Sequence, residues 1–266
     1  MFTSLIKSGL YDIAQALKQY SLIGMLGWHD VSHRYKRSSL GAFWLTISTS
    51  VMITTIGVLF SKIFHAPLRE FLPYVSIGMI IWGLISTVIT EGCQAFISAQ
   101  PIIKQLNLPL FLHIARLIWK NIVILGHNLM IIPIVFLIVW QPIKISILLS
   151  LLGFALLIIN LSWLTLLLSI FCARYRDTPP IVSSILQILF YLTPIMWMPE
   201  RLGARANLYL LQSNPFYHWL NVVREPLLSH HASWFSWEFS FATAFLGWLM
   251  TLFVFTRYRC RIAYWL

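Results

Sequence analysis

Side chains able to do chemistry are few in this chain and widely spaced. Glu91 closes the uncharged run Phe71–Thr90 and follows Thr87, with Gln94 and Ser98 beyond it, at spacings of four, three and four that share one helical face. Its carboxyl suits proton coupling or a structural hydrogen bond. No second buried titratable partner is evident, so the structural role is the expectation. His29 and His33, with Asp30 between them, have the helical spacing of metal ligands. Interfacial histidines beside a basic cluster are the simpler reading of them, and no metal is expected there or at His230-His231. The chain has no G-x-S-x-G, no paired carboxylates, no H-E-x-x-H and no Gly-Lys pair, hence no Walker A loop. Cys93, Cys172 and Cys260 are scattered, without C-x-x-C spacing. No catalytic residue and no cofactor are therefore expected in this chain. If nucleotide drives the protein, another polypeptide hydrolyses it.

The elements that carry these residues belong in a membrane. The chain is 59% hydrophobic and 10% charged, with a mean hydropathy of +0.78, against roughly 25% charged residues in a soluble domain. Its net charge of +11 reads as the Lys/Arg excess of cytoplasmic loops rather than a nucleic-acid surface. A crossing helix needs roughly 20 apolar residues. Six uncharged runs qualify: Ser38–Ser61, Phe71–Thr90, Asn121–Lys144 (up to the Lys), Ile145–Ala173, Thr178–Pro199 and Phe239–Thr256. An even count puts both ends on one side. Thirteen of the nineteen Lys and Arg fall on the segments that would share that side, so both termini are expected in the cytoplasm. The expected fold is an all-α polytopic membrane protein, a single domain of six transmembrane helices.

Between the spans lie four recognisable segments. Residues 1–37 lack a long apolar core and a small-residue cleavage site, so no signal peptide is expected in them. Ile6, Leu10, Ile13 and Leu17 recur at helical spacing, the pattern of an amphipathic helix on the membrane surface, and the basic cluster Arg34, Lys36 and Arg37 follows. Residues 99–120, with Pro101 and Pro109, form the longest cytoplasmic connection between spans, an amphipathic segment suited to docking a cytoplasmic partner or to an interfacial elbow. Arg174–Trp197 joins a charged turn (Arg174, Arg176, Asp177) to Pro179-Pro180 and an apolar run ending in Thr193-Pro194. Pro194 removes a backbone bond and breaks or kinks that run, which is tolerated in lipid where protein or a water-filled cavity satisfies the freed carbonyl. Residues 199–235 are the most irregular. Asn214-Pro215 reads as a cap with Pro at the first helical position, opening a helix too short to cross. On the first span Thr46, Ser50 and Thr54 make a hydroxyl stripe, fit for a polar pathway or for close helix packing.

Three stretches resemble one family. RYKRSSLGAFW (Arg34–Trp44), ARYRDTPPIVSSILQILFYLTPIMW and NPFYHWLNVVREPLL (Asn214–Leu228) are similar, in order and spacing, to signatures of bacterial type-2 ABC exporter permeases, in the branch that exports lipid-linked O-antigen or capsular polysaccharide. The resemblance implies a multi-pass protein of the bacterial inner membrane that works as a homodimer with two copies of a cytoplasmic ABC ATPase, which holds the ATP and Mg. It implies that 99–112 is the coupling helix, with Lys104, Gln105 and Asn107, and that Arg174, Arg176 and Asp177 lie on the same side. It implies a channel lined by the first and fifth spans, and short re-entrant gate helices on the periplasmic side within 199–235. Many members carry a proline soon after the Trp of the first motif, where this chain has Thr46–Ser50.

The residue chemistry accords with such a channel. Phe43, Trp44, Phe190, Tyr191 and Trp197 offer faces for stacking on sugars. Thr46, Ser50 and Gln187 offer hydrogen bonds, and Gln187, Tyr191 and Pro194 share a helix face. Arg34, Lys36 and Arg37 stand where a lipid diphosphate would load. Two other substrates remain open from sequence: a small amphiphile or drug for a permease, and a lipid-linked sugar for a membrane enzyme.

Overall fold

The computed structural model describes residues 2–35, 43–142, 144–199 and 211–266, with side chains described from Ser8 onward except those of residues 34 and 35. The described chain is helical throughout, without strands. We number the helices α1 (Phe2–Lys18), α2 (Tyr20–Tyr35), α3 (Phe43–Ile63), α4 (Leu68–Cys93), α5 (Ala95–Ser98), α6 (Gln100–Gln105), α7 (Phe111–Leu129), α8 (Ile131–Val139), α9 (Ile147–Arg174), α10 (Thr178–Leu192), α11 (Pro215–Leu227) and α12 (Trp234–Trp265).

Five of these units are long and apolar enough to cross a bilayer: α3, α4, α7 with α8, α9 and α12. The sixth expected span is shorter. α10 has 15 residues, about 22 Å at ~1.5 Å per residue, and ends just before Thr193-Pro194. α4 is the centre of the bundle: 78% of its most apolar stretch is buried, against 11% for α3. It packs against α3, α7, α8, α9, α10 and α11.

The third span begins at Phe111, ten residues earlier than the uncharged run that announced it. Two charges on α7 hid its first turns. Arg116 grips the Asp30 carboxylate of α2, with Nε 2.6 Å from Oδ2 and Nη2 on Oδ1. Lys120 Nζ lies 2.6 Å from Glu91 Oε2. Each cation is neutralised inside the protein, so the helix continues through both. Pro133 then lacks the N–H that would bond to Leu129, and the helix breaks into α7 and α8 at Met130. Trp140 ends α8 in the left-handed conformation (φ 55°), and its carbonyl accepts from Arg69 Nη2 at 3.0 Å.

α1 and α2 bind the end of the bundle at which α12 finishes. Asp12 is buried, and its two oxygens accept from the backbone N–H groups of Leu110 (3.3 Å) and Phe111 (3.1 Å). Those N–H groups sit at the start of α7 and have no partner within that helix, so α1 supplies the cap from another part of the chain. Arg259 completes the seam. Its Nη1 donates to the Ser8 carbonyl at 2.6 Å and its Nε is 3.5 Å from Asp12. The expected amphipathic helix is present, with Ala16 buried and Leu10 and Leu17 facing outward.

Polar groups inside the bundle are paired across helices. Asn160 on α9 is fully buried. Its amide donates to the carbonyls of Leu156 (3.0 Å) and Ser240 (3.1 Å), and its oxygen accepts from Trp163 Nε1 and Thr243 Oγ1. Trp219 Nε1 on α11 donates to the same Thr243 hydroxyl at 3.0 Å, so one asparagine ties α9, α11 and α12 together. α11 also approaches α9 so closely at Gly153 that an added Cβ would overlap the Val222 carbonyl, standing 2.8 Å from its carbon and 3.2 Å from Val223 Cα. These are backbone atoms and cannot swing aside. Gly153→Ala should therefore lower stability to unfolding in detergent by about 1–3 kcal/mol, the usual cost of overpacking. Gly126→Ala, on α7 with open space around it, should show no such loss.

Candidate functional site

The break after α10 is where most interactions meet. α10 opens on Thr178 with Pro179 and Pro180 in its first turn, which need no backbone donor there. It closes at Leu192, and Thr193, Pro194 and Ile195 are all buried. The Pro194 carbonyl accepts from Tyr74 Oη at 3.0 Å and from Arg224 Nη1 at 2.6 Å. Tyr74 is also 3.3 Å from the Trp197 carbonyl. The Arg224 guanidinium lies over the Tyr74 ring, 3.9 Å from its centroid, and Nε is 3.5 Å from Glu225 Oε1. Asn214 Nδ2 donates to the Thr193 hydroxyl at 2.9 Å, while its own Oδ1 caps α11 through the Phe216 N–H at 3.0 Å. The broken backbone is thus held by one residue from α4 and two from the α11 unit.

α11 itself departs from expectation. Its cap and first-turn proline stand as the sequence indicated. The sequence indicates only a helix too short to cross, in the most irregular segment of the chain. Yet ten of its thirteen residues are buried, and Arg224 is 1% exposed. His218 bridges it to α12, with Nδ1 3.0 Å from Ser236 Oγ and Nε2 3.1 Å from the Gln212 carbonyl. Burial pushes the His218 pKa down, partly offset by its contact with the Gln212 carbonyl.

A cavity of about 810 Å³ opens above the break, between α3, α4, α7 and α10. Of the residues singled out from sequence, Gln187, Phe190 and Tyr191 line it. Thr46, Ser50, Phe43 and Trp44 do not, although their helix contributes Leu45, Thr49 and Met52. The hydroxyl stripe turns largely inward on its own backbone: Ser50 donates to the Thr46 carbonyl and Thr54 to that of Ser50, both at 2.8 Å. Thr46 reaches Asn128 at 3.5 Å. Phe43 and Trp44 are exposed, with Phe43 edge-on to His127. Pro194 and Trp197 belong to the clamp, where Trp197 Nε1 donates to the Tyr191 carbonyl at 3.0 Å. Sequence reasoning missed that α4 and α7 supply much of the wall, through Trp82, Ser86, Asn121 and Asn128. The Thr87–Ser98 stripe was the available signal: Thr87 lines this cavity, and Glu91, Gln94 and Ser98 line a smaller one beyond it.

At the end of the bundle where α12 finishes, Lys104, Gln105 and Asn107 are exposed on and just after α6, within the 99–112 segment. Arg174, Arg176 and Asp177 are exposed in the turn before α10. Arg174 lies over Trp265 at 5.3 Å, and α6 also packs on α12, so both segments border one end of the molecule. Lys36, Arg37 and the side chain of Arg34, expected at the loading point, lie outside the described residues, as do residues 200–210 of the 199–235 segment. Among the described residues no cluster of His, Cys, Asp and Glu could hold a metal; Asp30 is committed to Arg116, and His29 contacts His33 ring to ring.

A bundle of long apolar helices with a clamped broken helix beneath a mixed aromatic and polar cavity defines a membrane-spanning transport component. The chain belongs to the ABC-2 type transporter family, whose model matches residues 21–228. It is therefore the transmembrane subunit of an ABC transporter, a class whose members associate with an ABC ATPase. No curated protein matches the chain.

Tyr74→Phe removes one donor from the Pro194 carbonyl and should cost about 1 kcal/mol of stability. Arg224→Ala removes the other donor, the ring contact and a buried charge partner, and should cost about 3 kcal/mol or more. Thermal unfolding of the purified protein in detergent checks both. Wild-type behaviour in the two variants would show that the clamp does not fix the break.

Proposed function

We propose that this subunit exports a lipid-linked polysaccharide, of the O-antigen or capsular kind, across the bacterial inner membrane. It does so as a homodimer with two copies of a cytoplasmic ABC ATPase. The observation that carries the reading is the composition of the large cavity. Trp82, Phe190 and Tyr191 supply ring faces, with Phe190 5.9 Å from Trp82 and 5.3 Å from Tyr191. Thr49, Ser86, Thr87, Thr90, Asn128 and Gln187 supply hydroxyls and amides beside them. A sugar ring presents an apolar C–H face and an equatorial fringe of hydroxyls, so it needs both kinds of surface in one wall.

A second copy of the chain is supported by the same residues. Thr90, Gln187 and Tyr191 are exposed in the single chain. Polar groups facing hydrocarbon are costly and normally turn to protein or to a water-filled cavity. A partner chain across α3 and α10, two apolar helices that their own chain buries little, closes the cavity into a channel. α10 then serves as the fifth of six passes, with α11 and its flanking segment as the gate on the outer side. Both termini lie in the cytoplasm. The 99–112 segment and the Arg174–Asp177 turn meet the ATPase, and ATP binding moves them against the cavity walls. The chain itself does no bond chemistry.

One observation favours a different cargo. An apolar groove of about 640 Å³ runs between α1, α2, α7 and α12, lined by Leu17, Tyr20, Ile118, Trp119 and Trp248, and would suit a small amphiphile. Deleting the gene and fractionating lipid-linked glycan between cytoplasmic and surface pools separates the readings. Accumulation of finished polymer inside, with surface glycan lost, is the expected result. Unchanged surface glycan would favour the amphiphile, and loss of polymer from both pools would place the protein in synthesis. Within the export reading, Tyr191→Ala should cut surface glycan several-fold while leaving the protein folded and the ATPase bound, measured by surface labelling and co-purification. Full export by that variant would remove the stacking role.

A further inference from the structure

A second cavity, of about 320 Å³, lies between α2, the end of α4, α5 and the first half of α7. We infer that it is a binding site for one uncharged, hydroxyl-rich ring, the size of a single sugar residue. As export substrate that ring is the leading sugar of the glycan, held before it passes into the large cavity. This last step rests on the polysaccharide reading above; the site and its ligand class do not.

The argument begins with charge. Two ion pairs form the walls. Asp30 is held by Arg116 through both carboxylate oxygens, and Glu91 is held by Lys120 at 2.6 Å and by Asn121 Nδ2 at 2.8 Å. Acids and bases balance, so an anionic head group would gain two cations but face two carboxylates in the same wall. An uncharged polyol meets no such opposition. Each paired carboxylate oxygen still has acceptor capacity, and the guanidinium and ammonium groups have further donors. Adjacent hydroxyls can therefore be both accepted and donated to on the same wall, in the charge-assisted bonds that are the stronger kind. Ala95 and Leu117 complete the lining and offer a small apolar patch for the C–H face of a ring.

His113 also borders this cavity; it is 5% exposed, and its Nε2 lies behind the wall rather than open to the space. The cavity is also placed to pass its guest on. Thr90 lines both cavities, and Asn121, which lines the large one, is the residue that donates to Glu91. The Glu91–Asn121–Lys120 group thus stands at the boundary between the two spaces.

Full-length protein in lipid nanodiscs can be tested directly by saturation-transfer NMR. The probes are the methyl glycosides of glucose, galactose, mannose, rhamnose and N-acetylglucosamine, with inorganic phosphate as the anionic competitor. Ser98 lines the cavity and is exposed, so Ser98→Trp fills the space without disturbing the core. Glu91→Gln tests the acceptor. At least one glycoside should show transfer from the wild type, that transfer should fall to background in Ser98→Trp while the melting temperature holds, and phosphate should not displace it. Absence of transfer from the wild type overturns the proposal, as does undiminished transfer in Ser98→Trp. Displacement by phosphate overturns the uncharged class in favour of an anion site. If glycosides bind here but gene deletion leaves surface glycan unchanged, the export reading fails and the sugar site stands. If deletion traps glycan inside but no glycoside binds, only the site falls.

Discussion

The structure depends on how a broken helix is kept inside a membrane protein. Ending α10 at Leu192 leaves carbonyls without helical partners in a stretch, Thr193–Ile195, that is buried in the protein, and an unsatisfied group in an apolar interior costs several kcal/mol. The chain answers with a tyrosine hydroxyl from α4 and a guanidinium from α11, both aimed at the Pro194 carbonyl. Neither group is cheap to bury alone. Together they satisfy each other: the Arg224 charge lies over the Tyr74 ring and close to Glu225, and the carbonyl takes both donors. That contact fixes α11 against α4. In doing so it sets the floor of the large cavity, because Phe190 and Tyr191 sit on the last turn of the helix being clamped.

The rest of the bundle applies the same rule to other groups. Apolar burial gives a helix little preference for its neighbour in lipid, because the surrounding chains are equally apolar. Position is set instead by close approach and by polar atoms that have one place to go. Gly153 lets α11 reach the α9 backbone, and Asn160 has four partners on two helices, one of which, Thr243, also holds Trp219 of α11. At the other end Asp12 caps α7 from outside it. An α1 helix that moved away would leave two buried N–H groups unpaired, so the amphipathic segment is fastened to the span most directly joined to the 99–112 segment.

What was legible in the sequence follows from how local each signal is. The Asn214-Pro215 cap, the stop at Thr193-Pro194, the amphipathic first helix and the Thr87–Ser98 stripe are all written in residues a turn or less apart, and each has its counterpart in the structure. The features that were not legible depend on partners far along the chain. Arg116 and Lys120 read as loop charges because Asp30 and Glu91 are distant in sequence, which delayed the third span by ten residues. Arg224 counted toward an outer loop because nothing near it announces Tyr74 or Pro194. The hydroxyl stripe of α3, open between a polar pathway and close packing, does not line the large cavity. Its spacing of four is also the spacing at which a hydroxyl reaches its own backbone, and Ser50 and Thr54 do so. Thr49, one position off the stripe, is the residue that faces the cavity.

The same distinction between paired and available polar groups separates the two kinds of cargo. A drug-binding pocket is mostly apolar with a few placed polar atoms, and the groove beside α1 has that character, with Ser162 and Tyr20 supplying the hydroxyls among the described lining residues. It lies at the side of the bundle, away from the clamp. The large cavity is different in kind. Its polar groups come from all four of its walls, and rings from α4 and α10 stand among them. A single small ligand would leave most of them unmet. A chain of sugars repeats the same pair of surfaces at every residue, so any section of it can satisfy the wall as it passes. Weak, repeated and interchangeable contacts are what movement along a channel requires, since a site that held one register tightly would stop the next.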